Sequence, residues 1–172
     1  VVATVPYSTI TAVDGSPQLP LSYEFAQSSI DSQSPEADNT TEVIPLVLNQ
    51  WTADRLGATR GTFLRVAYYE PEVKNGQEIE RFFTAIVTDV VPITRPATPY
   101  RRRREATFDQ PPTVYNDPDL TPSVPGVTDQ DSISDWDLPF ALKREISKED
   151  DDYWNEYRLT PKAFLPLYQG QQ

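Results

Sequence analysis

The sequence contains no cysteine, no histidine and no methionine. Without cysteine there is no disulfide, no thiol nucleophile and no thiolate metal ligand. Without histidine there is no imidazole base and no Ser-His pair, and most zinc sites are ruled out. Glycine is scarce, with 6 residues against 17 prolines. No G-x-S-x-G elbow and neither of the two glycine-rich phosphate loops occurs. Long apolar runs are also missing, so no segment within the 172 residues reads as a membrane-spanning helix. No signal-peptide pattern stands at the start.

Positive charge is in short supply as well. Lys+Arg total 15 against 26 Asp+Glu, a net charge of −11. An acidic surface is repelled by phosphate backbones, which argues against nucleic acid as a partner. The hydrophobic share is 38%, yet 3 Trp, 9 Tyr and 7 Phe are present. Disordered acidic chains are poor in aromatics, so the composition points to a folded core threaded by polar, proline-stiffened loops. The opening VVATVPYSTI and the ending YQGQQ read as cut points within a longer protein.

Alternation and capping signals give an α+β expectation with a mixed or antiparallel sheet. Strands are predicted near 3–11, 43–48, 62–69, 79–91 and 162–166, and helices near 50–56 and 148–158. Asn49 offers an N-cap and Gly57 a C-cap for the first helix. Ser147 and Asp150 have capping-box spacing at the second, and the acidic run Glu149 to Asp152 suits the positive end of its dipole. Asn75-Gly76 marks a turn that makes 62–91 a β-hairpin. Residues 14–42 and 92–135 are expected to be long loops. Trp136, Leu138 and Phe140 are expected to be buried anchors. The predicted core is Val47, Leu48, Trp51, Leu56, Leu64, Val66, Phe83, Ile86, Val90, Trp154, Tyr157, Phe164 and Leu165.

Two charge clusters invite chemistry. Asp129, Asp131, Asp135 and Asp137 are hard oxygen donors of the kind that hold Ca²⁺. An EF-hand loop starting at Asp129 would need Gly and Glu where Ser134 and Phe140 stand, so a solvated Asp-rich turn is the favoured reading and no metal is assigned. The run Arg101, Arg102, Arg103 and Arg104 is the sharpest charge feature of an acidic chain. Four adjacent cations repel one another and need anions or water. The run reads either as a solvated loop tip, folded back on the chain's own acids, or as a contact for anionic lipid or an acidic partner. No spacing singles out two carboxylates for glycoside hydrolysis. No catalytic residue, cofactor or enzymatic activity is therefore expected.

Three stretches carry a resemblance. They are VIPLVLNQWTADRLGATRGTFLRVAYYEPE, DPDLTPSVPGVTDQDSISDWDLPF and DDDYWNEYRLTPKAFLPLYQGQ, in that order, with VPYSTI near the start. Together they resemble the extracytoplasmic region of bacterial FtsX-like permeases, the membrane subunits of ABC transporters of the MacB-like class. The last block is the most specific. The resemblance implies an α+β domain on the periplasmic face of the inner membrane, inserted between transmembrane helices of its own chain. It implies a cytoplasmic ATPase subunit acting indirectly, a periplasmic adaptor or lipoprotein as partner, and no catalytic residues. Family members usually carry Pro-Gly-Asp after Leu-Gly; here Thr59-Arg60-Gly61-Thr62 keeps the glycine and lacks the aspartate. A second expectation, independent of the resemblance, is a secreted or periplasmic binding module for carbohydrate or Ca²⁺, with Tyr68, Tyr69, Tyr100 and Tyr115 as gripping side chains.

Overall fold

A computed structural model describes residues 4–5, 9–24, 42–69, 80–101, 104–120, 127–128, 130, 132–133 and 146–170. The side chains of Tyr69 and Leu120 are not included in that description. The fold is α+β, built on a five-stranded mixed sheet. The strands are β1 (Ile10–Ala12), β2 (Val43–Asn49), β3 (Phe63–Tyr69), β4 (Glu80–Val91) and β5 (Ala163–Leu165), in the spatial order β1-β5-β2-β4-β3. The helices are α1 (Gln50–Leu56), α2 (Lys148–Tyr157) and a single turn, α3 (Leu167–Gly170).

The hairpin expected over 62–91 forms: β3 and β4 pair antiparallel from Phe63↔Ile86 to Tyr69↔Glu80. Its turn at Asn75-Gly76 lies outside the described residues. β2 runs parallel to β4, and β5 lies antiparallel on the other side of β2. β1 completes the sheet, parallel to β5. Pro45 sits within β2, where a missing N–H would normally break a central ladder. Here β5 pairs only with Val47 and Leu48, so no described strand flanks Pro45 on that side.

A bulge interrupts the β2–β4 register. Leu46 faces Val87 but Val47 faces Asp89, which leaves Thr88 as the extra residue. Parity flips there, as an inserted residue requires. Ala85 and Val87 face the α1 side before the bulge, and Val90 faces it after. Thr88 is buried, and its hydroxyl donates to Ser22 O at 2.7 Å, which clips the 13–24 segment to the sheet.

Two apolar layers result. On one face Leu46, Leu48, Ala85, Val87, Ala163 and Leu165 pack under Ala53 of α1 and Ala58. On the other, Val47, Val91 and Phe164 lie beneath Val13, Leu21, Tyr23 and Tyr115. Burying each large aliphatic contributes about 1.5–3 kcal/mol. A third cluster joins Trp154 of α2 to Val127 and Ile133. Of the predicted core, Val47, Leu48, Ile86, Trp154, Tyr157, Phe164 and Leu165 are buried. Trp51, Leu56, Leu64, Val66, Phe83 and Val90 are only partly buried. The reason is coverage: a seven-residue helix cannot roof a face five strands wide.

Several expectations need correction. Of the first strand expected over 3–11, residues 3 and 6–8 lie outside the described residues, residues 4, 5 and 9 are not strand, and the strand described is Ile10–Ala12, paired with the three residues of β5. The strand expected at 162–166 shortens to Ala163–Leu165, with Lys162 drawn into a junction described below and α3 following Pro166. The second helix ends at Tyr157, and Arg158 turns the chain with φ 51°. The 92–135 segment, expected to be a long loop, carries among its described residues 3₁₀ turns at Val114–Asn116 and Pro118–Leu120 and two antiparallel bridges, Thr98↔Thr107 and Arg101↔Arg104. Trp136, Leu138 and Phe140 lie outside the described residues.

Candidate functional site

The densest polar chemistry among the described residues lies where the C-terminal end of β2 meets α2 and the segment leading into β5. Asn49 is its hub. Its Oδ1 accepts from Thr52 N and Thr52 Oγ1, both at 2.9 Å, so it caps α1 as expected. Its Nδ2 donates to the Tyr153 hydroxyl and to Pro161 O, both at 3.0 Å. Its backbone N donates to Lys162 O at 2.9 Å. The Tyr153 hydroxyl passes the chain on, donating to Thr160 O at 2.8 Å. Asn49, Thr52, Tyr153, Thr160 and Lys162 are buried and Pro161 is partly so, which strengthens these bonds and makes a lost partner costly.

Lys162 lies in this junction with 3% of its surface exposed. Its Nζ stands 4.7 Å from the Tyr153 ring centroid and 5.2 Å from that of Trp51. Those rings are themselves tilted against each other at 4.5 Å. Aromatic faces offer a cation the negative side of their quadrupole. Burial nonetheless pushes the ammonium down to about 8, opposed by the charge of Asp150. Burial also pushes the Tyr153 hydroxyl far above its ordinary value.

Asp150 closes the N-terminus of α2. Its Oδ2 accepts from Ser147 N at 3.0 Å and Ser147 Oγ at 2.8 Å, completing the capping box read from the sequence. Its Oδ1 is buried with no hydrogen-bond partner among the described residues. It borders a cavity of about 10 Å³ that Thr160, Lys162, Arg158 and Trp154 also line. At the far end of α2, Arg158 donates from Nη1 to Gln130 O at 2.7 Å, and Trp154 Nε1 donates to the same carbonyl at 2.8 Å. The guanidinium lies over the Trp154 ring at 4.8 Å and faces Tyr100 at 5.6 Å.

This array holds segments together. Its one amine with a lowered pKa is enclosed by Trp51 and Tyr153, so a substrate reaches it only if the junction opens. Of the Asp150 carboxylate, Oδ2 is committed to Ser147. Among the described residues no group of three acidic side chains is arranged to hold a metal ion. Asp129, Asp131, Asp135 and Asp137 lie outside the described residues.

The arginine run is split in the same way. Arg102 and Arg103 lie outside the described residues, whereas Arg101 and Arg104 are exposed and bridged to each other at 2.9 and 3.1 Å. The segment before them is fastened to α2: Tyr100 N donates to Asn155 O at 2.6 Å, and Arg95 grips Glu156 at 2.9 and 3.2 Å. An open recess of about 390 Å³ is lined by Arg95, Pro96, Pro99, Arg101, Asp152 and Glu156.

Of the four tyrosines expected to grip a ligand, the three whose side chains are described are engaged at separate places. Tyr68 is exposed at the end of β3, 5.9 Å from the Phe83 ring. Tyr100 is engaged with Arg158. Tyr115 packs on Phe164, and its hydroxyl donates to Pro20 O. The side chain of Tyr69 lies outside the described residues. Sequence reasoning missed Lys162 and Arg158. The available signal was a lysine set between Pro161 and the apolar run Ala163-Phe164-Leu165, where a solvated cation has no natural place.

No protein-family model matches the chain, and neither a curated protein nor a solved structure matches it.

Proposed function

We propose that this chain is a non-catalytic extracytoplasmic domain of an FtsX-like ABC permease, which passes motion of the membrane helices to a substrate or partner outside. The transmembrane part of its own chain would move it, and the cytoplasmic ATPase would act on it indirectly. A periplasmic adaptor or lipoprotein is the partner class that the resemblance implies.

One observation carries this reading. Two of the resembling blocks, distant in sequence, build the two sides of one buried junction. The block starting at Val43 supplies Asn49, Thr52 and Trp51. The block starting at Asp150 supplies Tyr153, Thr160, Pro161 and Lys162. They meet through Asn49–Tyr153, Asn49–Pro161, Trp51–Tyr153 and Lys162–Trp51. A body that transmits movement needs its parts locked together, and buried, satisfied polar contacts supply that stiffness. The most concentrated polar chemistry in the described residues is thus spent on fastening.

The test is cellular. The full-length product of the gene, tagged within this domain, is fractionated and then treated with protease in intact spheroplasts. The expected result is membrane association, with the tag cleaved from outside. Recovery in the soluble fraction, or a tag protected until the inner membrane is broken, would overturn the proposal.

A further inference from the structure

The two edges of the sheet are built differently. β1 is three residues long, a length that offers little to a passing strand. β3 has seven residues, Phe63–Tyr69, and pairs with β4 in unbroken register. It carries no proline, no lysine and no bulge, the common means of blunting an edge. An edge strand turns half of its backbone N–H and C=O groups away from its one partner. Among the described residues no backbone hydrogen bond joins Phe63–Tyr69 to anything outside the β3–β4 ladder.

The two faces of this edge differ in chemistry. Leu64, Val66 and Phe83 lie on the α1 side and are only partly buried. Tyr68 continues that row and is 46% exposed. On the opposite face the register sets Arg65 beside Thr84 and Ala67 beside Phe82. Arg65 and Ala67 are exposed, and so is Phe82. The Arg65 guanidinium lies 3.8 Å over the Phe82 ring. Among the described residues it takes no carboxylate, whereas Arg55, Arg95 and Lys148 each take one. Stacking fixes the guanidinium plane and leaves its N–H edge for a bidentate carboxylate.

We propose that the outer edge of β3 accepts an extended segment of another protein as a sixth strand. That segment carries apolar side chains on the face of Leu64 and Val66 and a carboxylate opposite Arg65. In strand addition the main-chain hydrogen bonds supply affinity, and alternate side chains supply selectivity. The two faces of β3 therefore dictate an alternating partner. The other charge on the Arg65 face, Glu80, lies opposite Tyr69 at the end of the strand, so one acidic position is selected. A second copy of this chain fits less well. Antiparallel pairing about a two-fold axis would put a second Arg65 on the same face and bring together two bodies of net charge −11. This inference stands apart from the proposed function, since a chain that fails the fractionation test can still pass the following one.

The experiment titrates the isotope-labelled 172-residue chain with the capped peptide acetyl-Val-Thr-Val-Glu-Val-Thr-Val-amide, reading backbone amide signals. The expected result is a set of shifts centred on residues 63–68. The peptide with lysine in place of its glutamate binds about tenfold more weakly, the difference between an opposed and a like cross-strand charge pair. The fully N-methylated peptide, which cannot donate to the edge, leaves these signals in place. Arg65→Glu reverses the preference between the glutamate and lysine peptides, and a reversal also excludes a folding artefact. Four results would each overturn the proposal: unmoved 63–68 signals with the glutamate peptide; equal binding of the N-methylated peptide; an Arg65→Glu variant that keeps the original preference; or self-association of the peptide-free chain that shifts residues 63–68, which would assign the edge to a second copy.

Discussion

Asn49 and Tyr153, 104 residues apart in the chain, share a buried hydrogen bond of 3.0 Å, with the amide donating and the hydroxyl accepting. Both partners are used twice over. The other side of Asn49 caps α1, and the proton of Tyr153 goes to Thr160 O. A single residue thus terminates a strand, starts a helix and fastens a second helix. Asn49→Ala removes a cap worth about 1 kcal/mol and orphans buried partners at about 1–3 kcal/mol, so a loss of about 2–4 kcal/mol is expected. Tyr153→Phe keeps the ring stack on Trp51 and should lose about 1–2 kcal/mol. Urea denaturation of both single variants and the double variant checks this. The double variant should be more stable than additivity predicts, and strict additivity would mean the two side chains are not coupled.

Lys162 gives stability an unusual slope with pH. Its folded-state value lies near 8 and its ordinary value is 10.5, so between them the unfolded chain binds the extra proton. Stability must therefore rise as pH increases through that window, by about 3 kcal/mol if fully realised. Tyr153, Tyr157 and Tyr23 act in the opposite sense. Burial raises all three, Tyr157 to about 12, so the stability they contribute below pH 10 is lost as pH climbs through their raised values. The expected profile climbs from pH 8 and turns over near pH 10. Equilibrium unfolding across pH 7–11 tests it, and Lys162→Met should remove the climb while keeping the decline.

Arg158 is the only described non-glycine residue with positive φ, at 51°. A side chain there costs about 1–2 kcal/mol. The guanidinium offsets this through the Gln130 carbonyl and the Trp154 ring. Arg158→Ala loses the anchors and keeps the strain, whereas Arg158→Gly loses the anchors and sheds it. The glycine variant should therefore be the more stable of the two by about 1 kcal/mol, measured by thermal unfolding. The opposite order would mean that the strain is not felt.

Two glycines separate conformational cost from steric cost. Gly57 ends α1 with φ 63° and has open space where a Cβ would go. Gly57→Ala should cost about 1 kcal/mol, from the backbone alone. At Gly15 a Cβ would stand 2.5 Å from Leu21 O. Gly15→Ala must displace backbone beneath the cover formed by Leu21 and Tyr23. Hydrogen exchange should then show faster exchange at Val13, whose N–H bonds to Leu165 O. Gly57→Ala should leave Val13 exchange unchanged.

Much of the local structure was legible because its chemistry is local. As caps, Asn49, Gly57, Ser147 and Asp150 each work within four residues of themselves, and all four cap as read. The β3–β4 hairpin was legible from two alternating runs flanking a turn pair. The bulge at Thr88 was not, because either parity of the run AIVTDVV is apolar, and only the β2 register shows where the count slips. The binding-module reading, resting on aromatic side chains and acidic loops, named Tyr100 and Tyr115 among its gripping residues. In the fold they pack against Arg158 and Phe164.

By itself the sequence determined where β2, β3 and β4 run and where α1 and α2 begin, and it did not show α3. Caps and periodicity are decided over a few residues, so a linear reading captures them. Only the tertiary structure decided that β5 slots between β1 and β2, that Lys162 is drawn between two aromatic rings, and that Arg158 and Trp154 share the Gln130 carbonyl. Each of these outcomes depends on what segments as much as 150 residues apart do when they compete for the same sheet edge or the same acceptor. That competition is settled by the packing of the whole chain, which no local window contains.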